Sequence, residues 1–287
     1  MRGKNGGWAD AGRHGLLLSS AMTESLITSR DNPVFKRLKK LADSARARRD
    51  ARMTLLDSEH LIEAYLDAGG QPHTLLRAAT SPAERVNGLA ARCHSAKSLV
   101  LPDALFAELT PVATPTGVLA EAAWLEPPAI NTTRLVIVLE HIQDPGNLGA
   151  MLRTGAAAGA TLALLSANCH DPWSPKALRG GQGAQFVLPM QIDVDLPSWV
   201  NAFEGLSVAL SLDETSGAEQ DFYRMDFTGP LALVVGKRRI DKLGVFRRIY
   251  IRFERICIPP NAILANVKGG TPAPIFVGVA IRDDHLG

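Results

Sequence analysis

No apolar run in this 287-residue chain approaches the ~18–20 residues that a helical bilayer crossing needs. A helical membrane span is therefore not expected, nor a membrane partner. Cysteine is scarce: Cys93, Cys169 and Cys257 are scattered, without Cys-x-x-Cys spacing. An odd, sparse set argues against a disulfide framework and a structural zinc site, and fits a reducing, cytoplasmic compartment. His60, His94, His141 and His170 show no metal-ligand spacing and read as surface or capping residues, so no metal is expected. No Gly-x-Gly-x-x-Gly opens a helix, and no glycine loop ends in Gly-Lys-Ser/Thr. A Rossmann dehydrogenase and a P-loop nucleotide hydrolase are thereby disfavoured. The net charge of +2 demands no nucleic acid by itself. No internal repeat or low-complexity tract is visible.

What is present is an ordinary globular composition, 46% apolar, in a chain long enough for two domains. Residues 1–26 have a charged start but only Leu16-Leu17-Leu18 as an apolar stretch, too short for a secretory signal. They read as a disordered extension, with Met22 a plausible start. Residues 27–126 read as a small α/β domain: strand-like MTLLD, HTLLRA and SLVLP alternate with helix-like segments. Residues 127–133, rich in proline and threonine, are the linker candidate. Residues 134–287 form the second domain, in which LVIVLE, TLALLS, LSVALSLD and LALVVG are buried strands of an open α/β sheet.

Three constellations carry chemistry. The first opens the N-terminal domain. Lys36, Arg37, Lys39, Lys40, Arg46, Arg48, Arg49 and Arg52 face only Asp43 and Asp50 locally, while Val34, Phe35, Leu38 and Leu41 recur at helical spacing. This is either a basic helical face for RNA phosphates or a solvated amphipathic helix. The second is LVIVLEHIQDPGNLGAMLRTGAAAG, a buried strand, a polar turn and an Ala-rich helix. Ligands bind beyond the carboxyl ends of such strands. Asn147 is placed to cap the helix, Gly149 permits close approach, and Arg153 is a lone cation in a small apolar helix. It serves either an anionic substrate or a local ion pair with Glu140 or Asp144. The third, SPKALRGGQGAQ, reads as a glycine loop after Arg179 that presents N–H groups to an anion, or as a plain turn.

The succession DPGNLGAMLRTGAAAGA, SPKALRGGQGAQFVLP and LALVVG resembles the SpoU (TrmH-like) family of SPOUT RNA methyltransferases. The opening ITSRDNPVFKRLKKL with LLDSEHLIEAYLDAG resembles the L30e-like substrate-binding domain often attached to them. Together the resemblance covers about residues 27–236. It implies an α/β protein with a C-terminal trefoil-knotted domain, S-adenosyl-L-methionine as cofactor, a homodimer, and methyl transfer to a ribose 2′-hydroxyl of RNA, ribosomal RNA before tRNA. It also implies catalytic roles for Asn147 and Arg153, and RNA contacts by Arg179 and by Lys36, Arg37, Lys39 and Lys40. Cofactor contacts are implied at Gly236, Ile258, Ala265 and Asn266.

After Gly236 the chain departs from the family's third motif, which reads like Gly-Asn-Glu-Gly. Here Lys237-Arg238-Arg239 follows. Ile256-Cys257-Ile258-Pro259 resembles the family's Ile-Pro turn, and Asn266-Val267 its Asn-Val pair, but Gly269, Gly270, Pro272 and Pro274 beyond disfavour the last helix. Two readings stand. One is a divergent tail, and with it a catalytically impaired RNA-binding relative. The other is a reading frame disturbed after Gly236, since one inserted A turns GGC AAC GAA GGC into GGC AAA CGA AGG, Gly-Lys-Arg-Arg.

Overall fold

The structure, a computed structural model, describes residues 24–93, 96–112, 115–127, 134–211, 227–236, 247–250, 256–258 and 275–277. Residues 1–23 of the extension expected over 1–26, with Met22, residues 128–133 of the expected linker, and Ala265 and Asn266 lie outside the described residues, as does most of the chain after Gly236, in the domain expected to be knotted.

The first sheet is mixed. Its strands are β1 (Glu24–Leu26), β2 (Met53–Asp57), β3 (Thr74–Ala78), β4 (Lys97–Leu101) and β5 (Val118–Ala123), in the order β1-β4-β3-β5-β2. β1, β4 and β3 run parallel, and β5 is antiparallel to both β3 and β2. Ser25 pairs with Leu99, so the sheet begins at Glu24, inside the stretch expected to be extension.

The basic opening is two helices rather than one face. Asn32 caps α1 (Pro33–Asp43), its Oδ1 accepting from Val34 N at 2.8 Å, and Phe35, Leu38 and Leu41 turn inward. Ser44 then adopts an extended conformation, ends α1 and caps α2 (Ala45–Ala51) by accepting from Ala47 N. A short hydroxyl side chain competes well for backbone donors at such a break. The helices α3 (Glu59–Asp67), α4 (Ala83–Ala90) and α5 (Asp103–Ala107) complete the layer.

The second sheet is wholly parallel over its described strands. β6 (Leu135–Glu140), β7 (Leu162–Leu165), β8 (Met190–Gln191), β9 (Leu206–Ser211), β10 (Leu231–Gly236) and β11 (Arg247–Tyr250) lie in the order β11-β9-β10-β6-β7-β8. Their near-continuous apolar sequences suit a sheet covered on both faces. The helices α6 (Pro145–Ala157), α7 (Pro175–Gly181) and α8 (Leu196–Ala202) connect them. From β6 the chain steps outward to β7 and β8, then returns to β9 on the far side. The order therefore reverses at the β6–β10 junction, where Gly236 pairs with Glu140. In open α/β sheets that reversal opens a ligand crevice at the carboxyl ends. β12 (Ile256–Ile258) and β13 (Ile275–Val277) form a separate antiparallel pair. A strand at Ile275 agrees with the prolines and glycines disfavouring an unbroken helix there.

The two sheets do not keep separate cores. Leu56, Leu61, Ile62 and Tyr65 share one buried cluster with Trp173, Leu178 and Phe186 of the second domain. Tyr65 meets Phe186 edge-on at 5.3 Å, and Thr54 Oγ1 donates to Trp173 O at 2.6 Å. Each such large apolar side chain contributes roughly 1.5–3 kcal/mol on burial, so this junction is part of the fold.

Candidate active site

The carboxyl end of β6 is shaped by its own polar turn and by the loop that precedes α7. His141 takes a left-handed backbone conformation, φ 56°. Its N–H donates to Ser166 Oγ at 3.0 Å, Ile142 N donates to Cys169 Sγ at 3.4 Å, and His170 N donates to Ile142 O at 2.7 Å. Loop 166–174 thus braces the turn residue by residue. His170 Nε2 lies 3.1 Å from Ser174 Oγ, and burial holds its imidazole below the usual histidine range. Burial likewise pushes the Cys169 thiol up, which suits a thiol that donates to Leu139 O rather than a nucleophile.

The helix cap is Asp144, whose Oδ1 accepts from Asn147 N at 2.7 Å, in place of the expected Asn147. Asn147 stands at the third helical position, half-buried, with its side chain free of hydrogen bonds among the described residues. Arg153 is exposed one and a half turns further along. It forms no ion pair with Glu140 or Asp144, nor with any other described residue.

The glycines of the third constellation also differ from expectation. Gly180 and Gly181 lie inside α7, capped at its start by Ser174 and ended by Gln182 in the left-handed region. They form a close contact between helices instead of an anion-binding loop. A Cβ on Gly149 of α6 would sit 2.3 Å from Ala177 O and 2.6 Å from Gly181 N, and one on Gly180 would sit 3.0 Å from Gly146 O. Backbone meets backbone, so α7 fixes where α6 presents Arg153.

The N-terminal cations find many more acids than their neighbours in sequence supply. Lys36 pairs with Asp31, Arg37 with the buried Glu121, and Lys39 with Asp43 while also donating to Glu108 O. Arg48 pairs with Asp171, Arg49 with Asp193 and Arg52 with Glu126. Lys40 is exposed and in no ion pair among the described residues, and Arg46 reaches only Asp50, at 3.6 Å. Much of the apparent positive face is therefore neutralised, and part of it joins the domains. Sequence reading missed Asp57, Glu121, Asp171 and Asp193, because each meets its arginine more than 80 residues away.

Arg179, on α7, donates to Asp57 at 3.2 Å. Gly236 ends β10 so close to β6 that a Cβ would meet Glu140 Cβ at 2.8 Å. Ile258 ends β12 in the two-stranded sheet. A groove of about 550 Å³ opens between the domains at the amino end of β7, lined by Arg49, Arg52, Trp124, Trp173 and Asp193. Its arginines are held by Asp193 and Glu126. No helix among the described residues is long and apolar enough to cross a membrane, and no described cluster of acids, histidines and cysteines could hold a metal.

Residues 134–239 match the SpoU rRNA Methylase family. An uncharacterized tRNA/rRNA methyltransferase of Synechocystis is 34% identical over 217 residues, 73% of this chain and 77% of that protein. The Bacillus subtilis 23S rRNA (guanosine(2553)-2′-O)-methyltransferase is 29% identical over 214 residues, 73% of this chain and 81% of that enzyme. A crystal structure of an RNA 2′-O ribose methyltransferase superposes with TM-score 0.66 at 25% identity, covering 80% of this chain and 90% of its own. An AdoMet-bound rRNA methyltransferase from Sinorhizobium meliloti does so with TM-score 0.65 at 23% identity, over 80% and 89%. With its switch-point crevice, its glycine-docked helix pair and these relatives, the chain belongs to the SpoU rRNA methylase family.

Proposed function

We propose that this protein transfers a methyl group from S-adenosylmethionine to a ribose 2′-hydroxyl of ribosomal RNA. The observation that carries the reading is Arg153. It is a cation on an exposed face, without a partner among the described residues, on a helix locked in place beside the β6–β10 crevice. An unpaired arginine on a rigidly packed helix is available to a phosphate or a developing oxyanion.

Glycine is required at 236: a Cβ there would meet Glu140 Cβ at 2.8 Å and Glu140 O at 2.9 Å, so β10 ends in close contact with β6 at the switch point proposed to receive the cofactor. Bound S-adenosylmethionine supplies a sulfonium-activated methyl carbon, to which the ribose oxygen bonds as the carbon–sulfur bond breaks. A guanidinium stays protonated at physiological pH. Arg153 therefore orients the ribose-phosphate and stabilises charge on the 2′ oxygen while its proton passes to solvent; it does not abstract that proton. Asn147, with its amide free near the turn, orients the substrate, and the exposed part of Arg179 together with Lys40 holds RNA phosphates. Gly236 and Ile258 are the described positions proposed to line the cofactor; the other two proposed contacts, Ala265 and Asn266, lie outside the described residues. The family resemblance supports a homodimer as the working unit, and the scarcity of cysteine supports a reducing compartment such as the cytoplasm.

Transfer of labelled methyl from S-adenosylmethionine to rRNA tests the reading directly, with label expected on ribose. Label on a base, or none, would overturn it. A second reading, an RNA-binding relative with a weakened cofactor site, draws on Lys237-Arg238-Arg239 in the third motif. Calorimetry separates the two. A working enzyme binds cofactor measurably below ~1 mM, where KM values lie.

A further inference from the structure

Asp57 ends β2 in the N-terminal domain and is completely buried. Its Oδ2 accepts from Thr110 Oγ1 at 2.7 Å and from Arg179 Nη1, in the other domain, at 3.2 Å. Its Oδ1 is buried with no partner. A buried carboxylate with one oxygen unsatisfied is costly. The next residue adds strain: Ser58 sits at φ 122°, ψ 154°, a region that normally belongs to glycine, while capping α3 at Leu61 N. Domain docking does not require this arrangement. The shared core around Tyr65, Trp173 and Phe186 and the buried Arg48–Asp171 pair already join the halves. What the contact does is fix a direction. Arg179 stands on α7, which glycine contacts lock to α6; Asp57 holds Nη1 of its half-buried guanidinium, and the remaining donors have no partner among the described residues.

We propose that Asp57 is a positioning residue: the N-terminal domain uses it to aim Arg179 at the RNA backbone, so that this domain orients an RNA contact of the second domain as well as adding RNA-binding surface. The proposal rests on the reading of Arg179 as an RNA contact. One charge-assisted bond lost from an oriented arginine is expected to weaken RNA binding about tenfold.

The test uses the full chain and an rRNA fragment, with affinity read by fluorescence anisotropy, so that it stands whether or not turnover is measurable. Asp57→Asn should weaken RNA binding about tenfold while calorimetric S-adenosylmethionine affinity stays at the wild-type value. Where turnover is measured, the loss should fall on the KM for RNA and spare kcat. In an Arg179→Ala background, Asp57→Asn should cost nothing further. Thr110→Val, which removes the other donor to Oδ2 and leaves both charges, should produce a smaller loss in the same direction and controls for misfolding. Equal losses with and without Arg179 would overturn the proposal, as would wild-type RNA affinity in a folded Asp57→Asn protein. If Arg179→Ala itself binds RNA normally, the reading of Arg179 has failed. If RNA binding responds as expected but no methyl is transferred, the enzyme reading alone has failed.

Discussion

Arg48 and Asp171 meet at 2.6 Å across the domain boundary, with side chains only 4% and 10% exposed. The same guanidinium donates to Leu41 O and Ala42 O, and Asp171 Oδ1 accepts from Trp173 N. Removing one partner leaves a buried charge unpaired. Arg48→Met should therefore lower unfolding free energy by about 3–5 kcal/mol, read from urea denaturation. The double variant Arg48→Met, Asp171→Leu should recover part of that loss. A single variant with wild-type stability would show that the pair is not desolvated.

Two glycine substitutions should have opposite signs. Gly149→Ala drives a Cβ to 2.3 Å from Ala177 O, overpacking the α6–α7 contact at a cost of about 1–3 kcal/mol and shifting Arg153. Gly88 lies within α4 with open space around its Cα. Gly88→Ala should stabilise by roughly 0.5–1 kcal/mol. Thermal midpoints compare the two, and a tolerated Gly149→Ala would refute the close contact.

Arg153→Ala should lower methyl transfer at least about a hundredfold, the usual loss for a preorganised electrostatic group. The thermal midpoint should not move, because the side chain has no partner among the described residues to lose. Transfer near the wild-type rate would remove Arg153 from the site.

His170 gives stability a pH dependence of known sign. Burial depresses its folded-state pKa below the usual value near 6.5. The unfolded chain therefore takes up the proton first, and stability present above about pH 6.5 is lost as pH falls toward the folded value. The groups facing the ring act in both directions: Asp171 and Asp144 raise its pKa, Arg48 and Lys176 lower it. His170→Gln should flatten the pH dependence of the thermal midpoint in that window, and an unchanged slope would assign the effect elsewhere.

The coding DNA decides between the two readings of the tail. A disturbed frame requires that, one base out of register after the Gly236 codon, the DNA encode Asn-Glu-Gly. Without such a frame, Lys237-Arg238-Arg239 is native divergence.

The strands and the second-domain helix were legible because their apolar residues follow the periods of buried strands and amphipathic helices. Leu135–Glu140 and Phe35, Leu38, Leu41 lie where the pattern puts them. Arg153 stood out because a small apolar helix offers a cation no local role. What stayed hidden depended on distance along the chain. The charge imbalance near residue 40 looked unbalanced only because Glu121, Asp171 and Asp193 arrive from elsewhere. The glycines after Arg179 looked like a loop because nothing local reveals that Gly149 packs against them. Asn147 was assigned a cap that Asp144, three residues earlier, provides.

The cluster that joins Tyr65 to Trp173 and Phe186 bears on how this chain tolerates being cut. A break between residues 127 and 134 would not release two independent folding units. Each fragment would present the apolar half of a common core to water, and excised halves should be recovered only when co-expressed and reassembled.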